Sequence, residues 1–296
     1  MSSRPNRSEP ALDRSRTLPW QSRLVLAVTI LGASASLLFP WMEFHGLPRE
    51  QMLTTMAGLA LGSLLGLIVW RLRAATPGAA LTGALFTAAL FCATPGWRTL
   101  LWPLLALFLL TFAATRFGRG RKEELQIAEE RTGRTAAQVA ANLGAAALAC
   151  IPIQAGCFFI LSPPMLGRPM LIASVAALAE ATADTLSSEL GEVLGGQPLL
   201  VTTLRRVPPG TDGAISLAGT LGGCTGAVAI SLIAVAVVPL SWREGAVAFA
   251  GGVFGLFFDS LLGATLERRG WLNNDAVNFI STCAAALCGA IVSLAW

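Results

Sequence analysis

The chain has 296 residues, of which 54% are hydrophobic and only 13% are charged. Soluble domains carry about a quarter charged residues, so this composition excludes a soluble enzyme of the same length. A single His (His45) and a single Lys (Lys122) argue against catalytic schemes that need two His or a His with a Lys, and the chain has no phosphate-binding P-loop motif.

The chain begins with a polar segment, residues 1–22, that contains several arginines and prolines. This composition predicts a disordered basic cytoplasmic tail. An apolar run then extends from Leu24 to Phe39, and its Ala33-Ser34-Ala35 string resembles a signal-peptide cleavage site. The long tail and the later apolar segments favour an uncleaved first transmembrane helix. Residues 23–296 are therefore predicted to form a single transmembrane domain.

Eight further apolar segments follow, most of them close to the 20 or so residues that one membrane crossing needs. They cover residues 52–70, 79–94, 99–115, 136–161, 170–190, 214–240, 245–265 and 276–295. The sequence thus predicts an all-α, polytopic membrane bundle of about nine transmembrane helices. The two short segments at 79–94 and 99–115 fit either a tight transmembrane hairpin or a re-entrant pair.

The distribution of basic residues predicts the orientation. If the N-terminus is inside and the sides alternate, 17 of the 21 Lys and Arg residues fall on the cytoplasmic side. This excess is the one that the positive-inside rule describes, so we expect a multi-pass protein of the cell inner membrane. The charged loop at residues 116–134 lies on the same side, and its arginines could contact anionic lipid headgroups. The positive charge therefore sets topology and gives no indication of nucleic-acid binding.

Most of the acidic residues within or beside the later helices fall in the cytoplasmic half of the predicted bundle. They are Asp184, Glu189, Asp212, Asp259 and Asp275. An ionisable side chain inside a membrane helix costs about 2.5 kcal/mol or more, so it usually faces a polar cavity or a partner. Hydrogen bonding between helices and solvation of loops would explain any one of them. Their convergence on one face favours a functional site.

Two polar segments are suited to binding phosphate or a cation. Asp184 and Ser188 share one helical face and could bind one metal ion or one phosphate group together. In the turn that follows, Gly210 and Gly213 permit close backbone approach, and Thr211 and Ser216 add hydroxyl groups. Arg205 and Arg206 add donors suited to phosphate. A capped helix after a tight turn explains this second segment equally well.

A third polar segment lies at the start of the last helix. Asn274 is predicted to cap this helix and Asp275 to occupy its first turn, while capping leaves Asn278 unexplained. Carboxylates and amide carbonyls with retained waters are ligands that Mg²⁺ prefers. Together with Asp259 in the preceding helix, this segment indicates a magnesium site.

Several strings together resemble the transmembrane protein 19-like family, which includes the plant and cyanobacterial phytyl-phosphate kinases. They are Asp184-Thr-Leu-Ser-Ser-Glu-Leu-Gly, Val207-Pro-Pro-Gly-Thr-Asp-Gly-Ala-Ile-Ser-Leu-Ala-Gly-Thr, Asp259-Ser-Leu-Leu-Gly-Ala and Trp271-Leu-Asn-Asn-Asp-Ala-Val-Asn. Thr115-Arg116 and the stretch from Arg134 to Asn142 also fit. The resemblance covers about residues 50–296. It implies an integral membrane enzyme that phosphorylates an isoprenyl monophosphate with a nucleoside triphosphate.

The residues and the resemblance together give the first hypothesis, a Mg²⁺-dependent phosphotransferase acting on an isoprenoid lipid phosphate at the cytoplasmic face. The expected catalytic residues are Asp184, Glu189, Asp259 and Asp275. The expected metal ligands are Asp184, Asp212, Asp259 and Asp275. The expected phosphate-binding residues are Ser188, Arg205, Arg206, Gly210, Thr211, Asp212, Gly213, Ser216, Asn274 and Asn278.

Two other classes of function remain open at this point. Buried acids and glycine-rich helices also mark the substrate pathways of transporters and lipid-carrier translocases. The one-sided distribution of polar residues argues against a pathway through the whole membrane. A purely structural membrane protein would tolerate alanine at Asp184 and Asp259.

Overall fold

The computed structural model describes residues 18–38, 49–94, 96–124, 133–154 and 163–295. The helices in these ranges are α1 (Pro19–Leu38), α2 (Arg49–Arg71), α3 (Pro77–Cys92), α4 (Leu101–Arg116), α5 (Arg119–Glu124), α6 (Ala136–Gln154), α7 (Pro163–Leu194), α8 (Leu217–Val237), α9 (Trp242–Leu262) and α10 (Asn274–Leu294). Seven of them, α1, α2 and α6 to α10, are long and apolar enough to cross a membrane. The prediction of a polytopic helical membrane protein is confirmed.

The shorter apolar helices α3 and α4 have 16 residues each. At 1.5 Å per residue each is about 24 Å long, less than the hydrocarbon thickness of a typical bilayer. They are neighbours in the chain but pack on different partners. Helix α3 lies against α2 and α6, whereas α4 lies against α7 and α8.

The largest difference from the predicted elements lies between α7 and α8. Residues 214–240 were predicted to be one helix, but Ala214–Ile215 forms strand β2, which pairs antiparallel with β1 (Leu199–Leu200). The helix starts only at Leu217 because Gly213 has φ 71° and Ser216 accepts the cap hydrogen bond from Gly219 N. A Cβ at Gly213 would also collide with the backbone of Ala264. The predicted helix at 170–190 is longer than expected, since α7 extends from Pro163 to Leu194.

One end of the bundle, which we call the polar end, brings together the start of α1 and the described residues that follow α2, α4, α7 and α9. Here the Arg134 N–H donates to Ala74 O over 3.0 Å, and the Asn273 N–H donates to Gln21 Oε1 over 2.8 Å. Lys122 pairs with Glu189 at the end of α7. The opposite end carries the ion pair between Arg168 and Glu244. Helices that cross a membrane in alternating directions place every second connection on the same side, and these connections follow that pattern. The orientation in the membrane stays a prediction.

Exposed tryptophans lie near both ends of the bundle. Trp20, Trp70 and Trp271 are exposed near the polar end, and Trp97 and Trp242 near the opposite end. Tryptophan is enriched at the two interfaces of a bilayer, so these positions fit a chain embedded in a membrane. The disordered tail is predicted to end at residue 22, but helix α1 already begins at Pro19. Residues 1–17 lie outside the described residues, as do positions 125–132 of the charged loop.

Helix α7 is the central helix of the bundle. It packs against α4, α6, α8, α9 and α10, and 83% of its most apolar stretch is buried. Small residues on the neighbouring helices allow this close packing; for example, a Cβ at Gly252 would lie 2.8 Å from Ala179 Cβ. The polar residues of α7 therefore face protein and a cavity, not lipid.

Candidate active site at the polar end

A cavity of about 490 Å³ opens at the polar end of the bundle. Helices α2 to α7, α9 and α10 contribute its walls, and the turn before α8 contributes part of its rim. Eleven of the residues expected at the site line this cavity. They are Asp184, Ser188, Glu189, Gly210, Thr211, Asp212, Gly213, Ser216, Asp259, Asn274 and Asn278. Their separate segments are thus brought to one cavity.

The acidic part of the cavity is formed by Asp184 on α7 and Asp259 on α9, whose carboxyl groups contact each other. Asp259 Oδ1 is buried and has no hydrogen-bond partner in the structure. One turn deeper, Glu180 is only 1% exposed and its Oε1 atom is likewise unpartnered. Negative charges this close repel, so a cation or a shared proton has to offset the repulsion.

Glycine on α9 makes room for this acidic cluster. A Cβ at Gly255 would lie 2.5 Å from Glu180 Cγ and 2.8 Å from Ala285 Cβ. Only a residue without a side chain permits α9 to approach α7 and α10 this closely. Glu180 precedes Asp184 by four residues, so helical periodicity places both on the same face of α7. Its place beside the acids of the site depends on the packing of α9, which the sequence does not show.

Basic side chains line the same cavity as the acids. They are Arg73, Arg116, Arg119, Lys122 and Arg134. Arg134 lies near Asp184, since its Nη2 atom donates to Thr185 Oγ1 over 3.4 Å and it interacts electrostatically with Asp184. The Arg116 guanidinium lies 3.5 Å from the Phe112 ring centroid. These cations come from the loop after α2, the end of α4, helix α5 and the segment just before α6.

The structure places three of the expected site residues outside the cavity. Arg205 and Arg206 were expected to hold phosphates, but neither lines the cavity, and Arg206 donates to Gln197 Oε1 at the surface. Asp275 accepts a 2.6 Å hydrogen bond from Ser22 and connects α10 to α1. The chain reversal through β1 and β2 turns Arg205 and Arg206 away, and sequence spacing alone does not show this reversal.

The predicted cap of α10 is wrong by one residue. Asn273, and not Asn274, accepts the hydrogen bond from Ala276 N over 2.9 Å. Asn274 is released from capping and lines the cavity together with Asn278. Asn278 Nδ2 is 3.5 Å from Asn142 Oδ1 on α6, so amide groups of two helices meet here.

The turn before α8 contributes backbone and hydroxyl groups to the rim. Thr211 Oγ1 donates to Pro208 O over 2.7 Å, which closes the turn. Ser216 Oγ caps α8, as the alternative interpretation of a capped helix after a tight turn expected. Gly210 and Gly213 both have positive φ and line the cavity, so at these two positions the turn presents its backbone without a side chain.

Glu189 is predicted to be a catalytic residue; in the structure it lines the cavity but is paired with Lys122. Both side chains are buried, at 10% and 3% exposure, and Lys122 Nζ also lies 3.5 Å from Ala114 O. The pair connects α7 to the short helix α5 after α4. It holds two walls of the cavity together.

We expect Lys122→Met to destabilise the protein by about 3–5 kcal/mol, because the change leaves the Glu189 carboxylate buried without a partner. Adding Glu189→Leu should restore most of the loss, since no unpaired charge remains. Thermal unfolding of the two single variants and the double variant in detergent measures the coupling. Additive losses would show that the two side chains do not act as a pair.

The carboxylates of the cavity offer part of the ligand set that Mg²⁺ requires. In the part of the chain that the structure describes, no three His, Cys, Asp or Glu side chains are arranged to hold a metal ion by themselves. The contacting carboxyl groups of Asp184 and Asp259 fit the usual mode for Mg²⁺, in which one or two carboxylates act with water and substrate phosphates. The unpartnered Asp259 Oδ1 is available for such a role.

Comparison with known proteins assigns the chain to a family. Residues 60–286 match the model described as "Integral membrane protein DUF92". An uncharacterized membrane protein of Synechocystis is 30% identical over 91% of this chain and 89% of its own length. One of Methanocaldococcus jannaschii is 37% identical over 64% of this chain and 74% of its own length.

A plant relative is also similar to the chain. Protein VTE6, chloroplastic, of Arabidopsis thaliana is 29% identical over 60% of this chain and 53% of its own length. No solved structure matches the fold. The family match spans the helices that build the cavity, from α2 to α10. The chain therefore belongs to the DUF92 family of integral membrane proteins.

Proposed function

We propose that the protein is a membrane phosphotransferase that transfers a phosphoryl group from a nucleoside triphosphate to an isoprenyl monophosphate. The observation that carries the proposal is the cavity at the polar end, where Asp184 and Asp259 face Arg134 and other basic side chains. Phosphoryl transfer needs positioning and neutralisation of charge more than covalent chemistry, and this arrangement supplies both. The similarity to VTE6 and the resemblance to phytyl-phosphate kinases support an isoprenoid acceptor.

In the proposed reaction the acceptor is already an anion, so no strongly basic side chain is required. A phosphate oxygen of the isoprenyl monophosphate attacks the γ-phosphorus. The bond from that phosphorus to the bridging oxygen breaks, which gives an isoprenyl diphosphate and a nucleoside diphosphate. Arg134 and the neighbouring arginines hold the phosphates, while Asn274 and Asn278 orient the headgroup. Asp184 and Asp259 would hold Mg²⁺, which supplies neutralisation of the phosphate charge.

We further propose that the cavity opens to the cytoplasmic side of the cell inner membrane, on the basis of the positive charge at the polar end. Nucleotide is then available from the cytoplasm, and the isoprenoid chain remains in the bilayer. The same orientation places the N-terminus in the cytoplasm.

Radiolabel transfer tests the proposed function. Purified protein in detergent or nanodiscs is incubated with γ-labelled nucleoside triphosphate, Mg²⁺ and an isoprenyl monophosphate. We expect label in an isoprenyl diphosphate, and loss of the transfer when the divalent cation is chelated. Movement of isoprenyl phosphate across sealed vesicles without nucleotide consumption would instead identify a translocase and contradict the proposal.

A further inference from the structure

The cavity has an apolar extension that the phosphoryl-transfer chemistry does not use. Beyond the acidic and basic groups, its walls are formed by Val69 on α2, by Gly83 and Thr87 on α3, and by Leu104 and Phe108 on α4. Thr87 lies about 15 Å along α3 from its first residue, and Leu104 about 18 Å from the last residue of α4. The extension therefore ends roughly halfway through the hydrocarbon region, where Thr87 and Leu104 are almost fully buried.

The position of α3 and α4 explains why this space is open. The two helices are consecutive, but α3 packs with α2 and α6 while α4 packs with α7 and α8, and contacts between them are sparse. Closer to the opposite end, Leu90 on α3 and Leu100 just before α4 are fully buried and belong to one hydrophobic cluster, which closes the space between the helices. The result is a cleft with a closed bottom and a charged mouth.

We infer that this cleft between α3 and α4 holds the isoprenoid chain of the substrate and that Gly83 and Thr87 limit the chain length. The inference rests on the proposed function in so far as the ligand carries a phosphate. Two features indicate a lipid with one phosphate headgroup. The apolar cleft is continuous with the cavity, and basic side chains lie at its mouth. Gly83 has open space in front of it, since a Cβ there would meet only Val139, at 3.9 Å.

Gly83 and Thr87 lie at different depths along α3, so substitutions at the two positions should affect chains of different length. Gly83 lies one turn closer to the charged mouth than Thr87, which is 1% exposed and donates its hydroxyl to Gly83 O over 2.7 Å. A larger residue at Gly83 should block the cleft near the mouth. A larger residue at Thr87 should shorten it and leave room for a shorter chain.

Binding of a series of prenyl monophosphates tests this without reference to catalysis. Stabilisation of the purified protein against heat is measured with dimethylallyl, geranyl, farnesyl and geranylgeranyl monophosphate. For the unaltered protein we expect affinity to rise at least about tenfold from the dimethylallyl to the farnesyl compound, because apolar surface is buried with each added unit. Affinity that does not depend on chain length would overturn the inference.

Two substitutions on α3 test where the isoprenoid chain binds. Gly83→Leu should remove the gain from geranyl onwards and leave the affinity for dimethylallyl monophosphate within about threefold. Thr87→Leu should retain geranyl binding and lose geranylgeranyl binding. Leu81→Phe is the control on the same helix, because Leu81 is 74% exposed and lies outside the cavity. If Gly83→Leu does not fold, Thr87→Leu alone decides, since general destabilisation would not select by chain length.

The outcomes separate this inference from the proposed function. Unchanged farnesyl binding in both variants overturns the cleft assignment even if phosphate transfer is observed. Displacement of farnesyl monophosphate by an equal amount of ordinary phospholipid also overturns it, since the cleft would then be a general lipid site. Binding that depends on chain length and on Gly83, without phosphate transfer, upholds the cleft and contradicts the kinase assignment.

Discussion

Replacing Asp184 by Asn is expected to lower the rate of phosphate transfer by at least about a hundredfold. The change keeps the shape of the side chain but removes one of the two charges that would position the cation between the phosphates. It also removes repulsion of the incoming phosphate, so binding of the isoprenyl monophosphate should be retained. The measurement is single-turnover transfer of label together with ligand-induced stabilisation of the same preparation.

Two further results make the Asp184→Asn experiment decisive. Glu50→Gln is the matched control, because Glu50 is exposed in the first turn of α2, away from the cavity. Its transfer rate should equal that of the unaltered protein. Undiminished turnover in folded Asp184→Asn would show that the contact between Asp184 and Asp259 is not part of the catalytic site.

Replacing Arg134 by Gln is expected to weaken binding of the isoprenyl monophosphate about 10- to 100-fold, the range for a hydrogen bond to a charged group. The fold should tolerate the change, because Arg134 is held by its backbone: its N–H donates to Ala74 O, and its carbonyl accepts from Thr76 N over 3.0 Å. The measurement is the affinity from thermal stabilisation, together with KM in the transfer assay.

Comparison with other arginines tests where the phosphate binds. Arg243→Gln is the control, since Arg243 is exposed near the opposite end of the bundle. Arg206→Gln examines the prediction made from the sequence, and we expect a smaller loss there than at Arg134. A larger loss at Arg206 would show that the turn before α8, and not the start of α6, holds the phosphate.

The residues of α7 show how much of the site follows from the sequence. The spacing of Asp184 and Ser188 placed both on one helical face, and both line the cavity. The spacing gave no partner for Glu189, because Lys122 is distant in sequence and reaches it only through packing of α5. The Thr115-Arg116 string and the stretch starting at Arg134 resemble the family in sequence, yet only the fold brings them to the walls of one cavity.

Composition and periodicity by themselves determined that this protein is a polytopic membrane bundle whose basic loops lie at one end, because burial in lipid demands long apolar helices and restricts where charge can lie. Only the tertiary structure decided which charges meet. The β1–β2 reversal turns Arg205 and Arg206 away, and close packing at Gly255 brings the acids of α7 and α9 together. Such contacts depend on distances between helices, which helical periodicity within one segment cannot specify.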